Sequence, residues 1–160
     1  MLISSVKHDG KIFVSTSVTE LKTAGIPSEV VAKAAHTQLG RDIDTAAGNA
    51  RAAFVSPGSY IDQEYLLAKQ EASEWLAGGK DEMAIPSSVS DHMAMFEVSA
   101  EAAAAEIVAT AEQWETALRD IRNLRLGGKA TVQRADTIEA AEEAAQQAIE
   151  QLNRYRPPEA

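Results

Sequence analysis

The stretch SAEAAAAEIVATAEQWETALRDI, residues 99–121, decides the fold class, because it contains no helix breaker and repeats apolar residues at four-three spacing. Ala104, Ile107, Ala111, Trp114, Leu118 and Ile121 form a continuous series of the kind that aligns helices side by side. The pattern predicts one long helix from about Ser99 to Ala135, with Trp114 as a buried anchor. Its seam fails at Arg125 and Gly128, so Gly127-Gly128 is expected to mark a kink or an end.

Working outward, DTIEAAEEAAQQAIEQLNRYR predicts a terminal helix in which Asp136 and Glu139 have capping-box spacing and Pro157-Pro158 stop the chain. Upstream, Ser28 is the expected N-cap of a helix reaching about Phe54, with Leu39, Ile43, Ala46, Ala50 and Ala53 on its stripe. After SPGS, Ile61, Tyr65, Ala68, Ala72 and Trp75 repeat that spacing to a stop at Gly78 and Gly79. Between Lys80 and Val98, IPSSVSD reads as a loop or helix start and HMAMFEV as a short apolar helix.

The first residues differ in character. LISSVK and KIFVSTS are β-leaning runs flanking HDGK, whose Asp9-Gly10 pair suits a type I′ turn. Ser17 and Glu20 then have capping-box spacing, and Gly25 supplies a left-handed cap for a short helix. The chain is therefore read as mainly α: a short N-terminal β-hairpin followed by a helical bundle with one long helix and a C-terminal helix. Its divisions are residues 1–27 (hairpin and short helix), 28–135 (helical core) and 136–160 (terminal helix and tail). Thirty alanines and only eight aromatic residues favour closely approaching helices over a thick sheet core.

A chain of 160 residues buries roughly 70% of its unfolded surface, enough for a core without staples. The absence of cysteine excludes disulfides, thiolate catalysis and cysteine-ligated metal sites. A net charge of −9 repels phosphate backbones, so nucleic acid is a poor default partner. No run of about 18 apolar residues predicts a membrane span, and the N-terminus lacks the apolar run of a signal peptide. Cytosolic residence follows as the expectation.

Candidate chemistry thins out quickly. His8, His36 and His92 are far apart and have no ligand spacing, so no metal site is expected. Glu101, Glu106, Glu112 and Glu115 read as a solvated helix face. Ser56 and Ser59 form no nucleophile elbow, and LGGKAT lacks the first glycine of a phosphate-binding loop. No catalytic residue or cofactor is assigned. One cluster stands out: Arg119, Arg122, Arg125 and Lys129 line up as a basic stripe, meeting an acidic partner or nucleic acid, or else pairing with carboxylates of a neighbouring helix. Ile3, Ile12, Phe13 and Val14 are the candidate partner-binding residues, since a lone hairpin needs something to cover it.

RDIDTAAGNARAAFVSPGSYIDQEYLLAKQEASEWLAGG, continued after a loop by AEIVATAEQWETALRDIRNLRLGGKATVQRA, resembles a helical module of small tail-region proteins of bacteriophages and prophages. Asp44, Ala46, Gly48, Arg51, Pro57, Gly58, Tyr65, Lys69, Glu71, Ala72, Trp114, Ile121, Arg125, Lys129 and Val132 occupy matching positions over roughly residues 41–135. TAGIPSEVVAKAA is similar to the segment leading into that module in tail-fibre-associated proteins. Phe54 and Ser59 depart from the usual tyrosine and glutamine. The resemblance carries over no catalytic residue. It implies a non-enzymatic assembly chaperone or adaptor for a tail-fibre or other tail protein, in the bacterial host cytoplasm. The alternatives are a minor tail subunit that self-associates through its long helix and remains in the virion tail, and a small phage regulator acting through the basic stripe.

Overall fold

The computed structural model describes residues 1–53 and 61–156, and side chains from Gln63 onward in the second stretch. In chain order the elements are β1 (Leu2–His8), β2 (Lys11–Ser17), α1 (Val18–Thr23), α2 (Ser28–Ala52), α3 (Ile61–Ala77), a 3-10 turn (Glu82–Ala84), α4 (Ser87–Phe96), α5 (Ala100–Arg134) and α6 (Ile138–Arg154). The expected hairpin, long helix and C-terminal helix are all present. The described residues fall into two compact units, 1–53 with 120–155 and 61–119 with 156. The expected SPGS turn, the side chain of Ile61, Phe54 and the Pro157-Pro158 stop lie outside the described residues.

Local chemistry accounts for the start of the first unit. Asp9 and Gly10 both have positive φ, at 46° and 75°, as a type I′ turn requires. Ser17 and Glu20 form the capping box of α1. The helix closes with Gly25 N–H donating to Lys22 O and Ile26 N–H to Leu21 O, a Schellman pair made feasible by Gly25 at φ +79°. The turn drives Ile26 into a core with Ile3, Val6, Leu21, Val31 and Ala35, against which Phe13 and Ile138 pack.

Two helix starts differ from expectation. Ser28 is the first helical residue of α2, and Pro27 stands at the N-cap with no side-chain hydrogen bond; its carbonyl accepts from Val30 and Val31 N–H instead. Proline can occupy this position because its fixed φ leads into the helix and its missing N–H is not needed there. Thr137 rather than Asp136 caps α6, its hydroxyl accepting from Ala140 N–H at 3.1 Å. Ile138 packs on the hairpin core, which fixes where the helix begins. On α2, Leu39, Ile43, Ala46 and Ala50 are buried, but Ala53 is exposed beyond the last turn.

α5 continues through Gly127 and Gly128 to Arg134, so these glycines do not end it. Gly128 is needed for packing: an added Cβ there would collide with the Ala148 Cβ of α6 and come within 3.5 Å of Ile43 Cδ1 of α2. At Gly127 a Cβ would meet nothing within 4 Å.

In the second unit, Ala72, Trp75, Val89, Ala103 and Ala104 form the core, with Leu76, Ile85, Met93 and Ile107 packed on it. Trp75 is the buried tryptophan; its Nε1–H donates to Asp81 O at 3.0 Å across the Gly78-Gly79 reversal, where Gly79 has φ +95°. Trp114 is only half-buried, with its ring 6.4 Å from that of the exposed Tyr65. Trp75 is buried as its stripe predicts, whereas Trp114 is less buried than expected, because equal heptad spacing does not say which stretch of a helix finds a neighbour. SSVSD and HMAMF join in the single helix α4, preceded by Ile85 and Pro86 and closed by Glu97 in the left-handed conformation.

Two paired substitutions test this packing. Gly127→Ala should raise stability by about 0.5–1 kcal/mol by restricting the unfolded chain, whereas Gly128→Ala should lower it by about 1–3 kcal/mol through overpacking. Urea midpoints that rise for both would contradict the close approach. Trp75→Ala should cost about 3–5 kcal/mol, and Trp114→Ala clearly less, when unfolding is followed by circular dichroism.

Candidate partner-binding surface

The hairpin has two unlike faces. Its register pairs Ile3 with Thr16, Ser5 with Val14, Val6 with Phe13 and Lys7 with Ile12, and omits Ser4 and Ser15. Ser15 adopts φ +50°, and Ser4 N–H leaves the ladder to donate to Gln38 Oε1 on α2 at 3.2 Å. Inward-facing residues change parity across this interruption: Ile3 and Val6 are both buried although three positions apart. Regular alternation would have set them on opposite faces.

The four candidate residues therefore separate. Ile3 is 2% exposed and belongs to the core, and Phe13 is half-buried against it. Ile12 and Val14 are 64% and 66% exposed on the outer face, and Leu2, which the sequence reading missed, is 64% exposed. The helical body covers one face, and the other keeps apolar side chains in solvent. Lys7 and Lys11 flank the turn with exposed side chains. Asp9 is their nearest carboxylate in sequence, and it lies 3.4 Å from His8 Nε2.

The basic stripe also separates. Arg125 Nη1 donates to Asp44 Oδ1 at 2.9 Å and Lys129 Nζ to Asp44 Oδ2 at 2.6 Å, tying α5 to α2. Gly40 lies one turn before Asp44, and a Cβ added there would make only ordinary contact with Lys129 Cε, at 3.5 Å. Arg119 and Arg122 are exposed. The Lys129 hydrogen bond, opposed by partial desolvation and aided by Arg125, holds the Asp44 carboxyl below the usual aspartate range. Asp44, Arg125 and Lys129 are engaged in ion pairing, and Ala72, Ile121 and Val132 are buried in the packing.

The remaining described candidates lie on several elements. Three of the four glutamates expected on a solvated face reach across to other elements: Glu101 to Lys80, Glu106 to His92 at 2.9 Å and Glu115 to Lys69 at 2.7 Å. His8, His36 and His92 lie on β1, α2 and α4, and no cluster of metal-holding geometry occurs among the described residues. Gly127 and Gly128 line an open groove of about 340 Å³ between α5 and α6, with Asn123, Thr131, Gln147 and Gln151 as its polar lining. Among the described residues, no helix is long and apolar enough to cross a membrane. Comparisons of the chain with protein-family models, with curated proteins and with solved structures found no match.

The Asp44 cluster generates a pH dependence with a definite sign. A carboxyl whose pKa is lowered on folding stabilises the fold above its unfolded value, about 3.9, and loses that contribution as pH falls through the lower folded value. Asp44→Asn should thus lose stability at neutral pH and show a shallower decline below pH about 4 than the parent chain. Parallel declines of the two unfolding midpoints would contradict it.

Proposed function

We propose that this protein is a non-enzymatic assembly factor for a bacteriophage tail, a chaperone or adaptor that holds a tail-fibre subunit in the bacterial host cytoplasm through the outer face of its N-terminal hairpin. The observation that carries the reading is the division of that hairpin: Ile3 and Val6 are locked into the core, while Leu2, Ile12 and Val14 stay in solvent. Exposed apolar residues grouped on one face are a feature of surfaces that receive partners. A hairpin fixed from behind by helices presents them without the ordering cost of a flexible segment. The resemblance of residues 41–135 to phage tail-region proteins supplies the class of client.

A second reading, self-association as a minor tail subunit, draws support from α3, where Tyr65, Leu66 and Leu67 are exposed in succession. A regulator acting on DNA is less favoured, since Asp44 engages two cations of the basic stripe and the chain carries a net charge of −9.

The test is capture. Co-expressed with the tail-fibre subunits of the genome that carries it, the parent chain should co-purify with one of them. Ile12→Lys combined with Val14→Lys should abolish this while leaving helicity and the unfolding midpoint unchanged, as exposed substitutions usually do within about 0.5 kcal/mol. Undiminished capture by the double variant would remove the hairpin from the binding surface.

A further inference from the structure

The hairpin is bounded by two edges, and they are not equivalent. A two-residue type I′ turn makes His8 and Lys11 a hydrogen-bonded pair, and antiparallel pairs alternate from there. Val6 and Phe13 are then hydrogen-bonded to each other, while Lys7 with Ile12 and Ser5 with Val14 are the wide pairs. In a wide pair the backbone N–H and C=O groups point away from the partner strand. β1 thus directs the groups of Ser5 and Lys7 to its free side, and β2 directs those of Ile12 and Val14.

The β1 side is occupied along part of its length. Gln38 of α2 takes both the N–H and the hydroxyl of Ser4, and the N-terminal ammonium pairs with Glu142 of α6 at 3.1 Å. Along β2, residues 11, 12, 14 and 15 are exposed. The Thr16 hydroxyl donates to Val14 O at 3.1 Å, which leaves that carbonyl one further lone pair. On this strand the same two residues, Ile12 and Val14, supply both the outward backbone groups and the exposed apolar side chains.

We propose that the β2 edge receives an extended segment of another protein as a third, antiparallel strand, hydrogen-bonded to Ile12 and Val14, with apolar side chains at alternate positions and a carboxylate at the end that meets Lys11. This rests on the adaptor reading and specifies its client. Strand addition takes affinity from main-chain bonds and specificity from alternate side chains, and the antiparallel arrangement is the more stable per residue. Electrostatics chooses the occupant. Lys7 and Lys11 make the turn end of the hairpin basic, and neither has an ion-pair partner among the described residues. A second copy would bring another net charge of −9 against the first, whereas an apolar segment with a local carboxylate is attracted.

Amide hydrogen exchange of the full chain, read residue by residue by NMR, tests the assignment. The probe is a short synthetic peptide of alternating valine and threonine with an aspartate tail, compared with its lysine-tailed counterpart. At saturation the aspartate-tailed peptide should slow exchange at Ile12 and Val14 on the order of tenfold, with Ser5 and Lys7 unchanged. The lysine-tailed peptide should bind several-fold more weakly at low salt, a difference that shrinks as salt rises. Protection at Ser5 and Lys7, protection confined to the helices, or no protection overturns the β2 assignment. Protection of Ile12 and Val14 in the free chain that disappears on dilution overturns it in favour of a second copy. The adaptor reading fails separately: the fibre subunits are then not captured although the peptide still protects Ile12 and Val14.

Discussion

A two-stranded sheet is marginal in water, so the N-terminal hairpin exists because Ile3 and Val6 are buried against Leu21, Ile26, Val31 and Ala35. That contact ties β1, α1 and α2 into one core, and the Schellman turn at Gly25 returns the chain at the angle the contact needs. It also determines what remains outside. Once Ile3, Val6 and Phe13 point inward, Ile12 and Val14 point outward, and the interruption at Ser4 and Ser15 sets Leu2 outward too. Any function assigned to the hairpin therefore has to use its outer face and its β2 edge, because the inner face is part of the fold.

The helical part of the same unit sets many small residues beside the large buried Ile43, Ile121, Val132 and Leu152. Ala35, Ala46, Ala47, Ala141, Ala145 and Ala148 are buried, and Gly128 has no room for a methyl group. Alanine contributes little apolar area per residue, so close approach has to supply dispersion contacts in its place. Asp44 adds direction to this contact by holding Arg125 and Lys129 from a different helix. These part-buried ion pairs near the surface contribute modestly to stability, and their value here is in fixing how α5 lies against α2.

Much of the fold was legible because its signals are local. The Asp9-Gly10 turn, the Ser17 and Glu20 capping box, the Gly25 cap and the long periodic helix each involve residues within a few positions of one another. What escaped reading depends on neighbours distant in sequence. Gly128 looks like a helix breaker until Ala148 stands beside it. Trp75 and Trp114 occupy equivalent spacing, yet Trp75 is the more buried, with its indole N–H on the Asp81 carbonyl and a core around it. The candidate surface was half legible: β-propensity singled out Ile3, Ile12, Phe13 and Val14, but the change of parity at Ser4 and Ser15 has no compositional mark, so buried and exposed members could not be separated and Leu2 was passed over. For the basic stripe, its spacing was visible and the position of Asp44, 81 residues from Arg125, was not.

The central claim is that the outer face of the hairpin is where this protein meets its partner. Site-specific photocrosslinking in cells that co-express tail-fibre subunits addresses it most directly, with a benzophenone side chain placed at Ile12 in one preparation and at the similarly exposed Leu66 of α3 in another. The account predicts a covalent adduct between position 12 and a tail-fibre subunit, and none from position 66. Adducts from position 66 to a second copy of the chain, with position 12 unreacted, would contradict it.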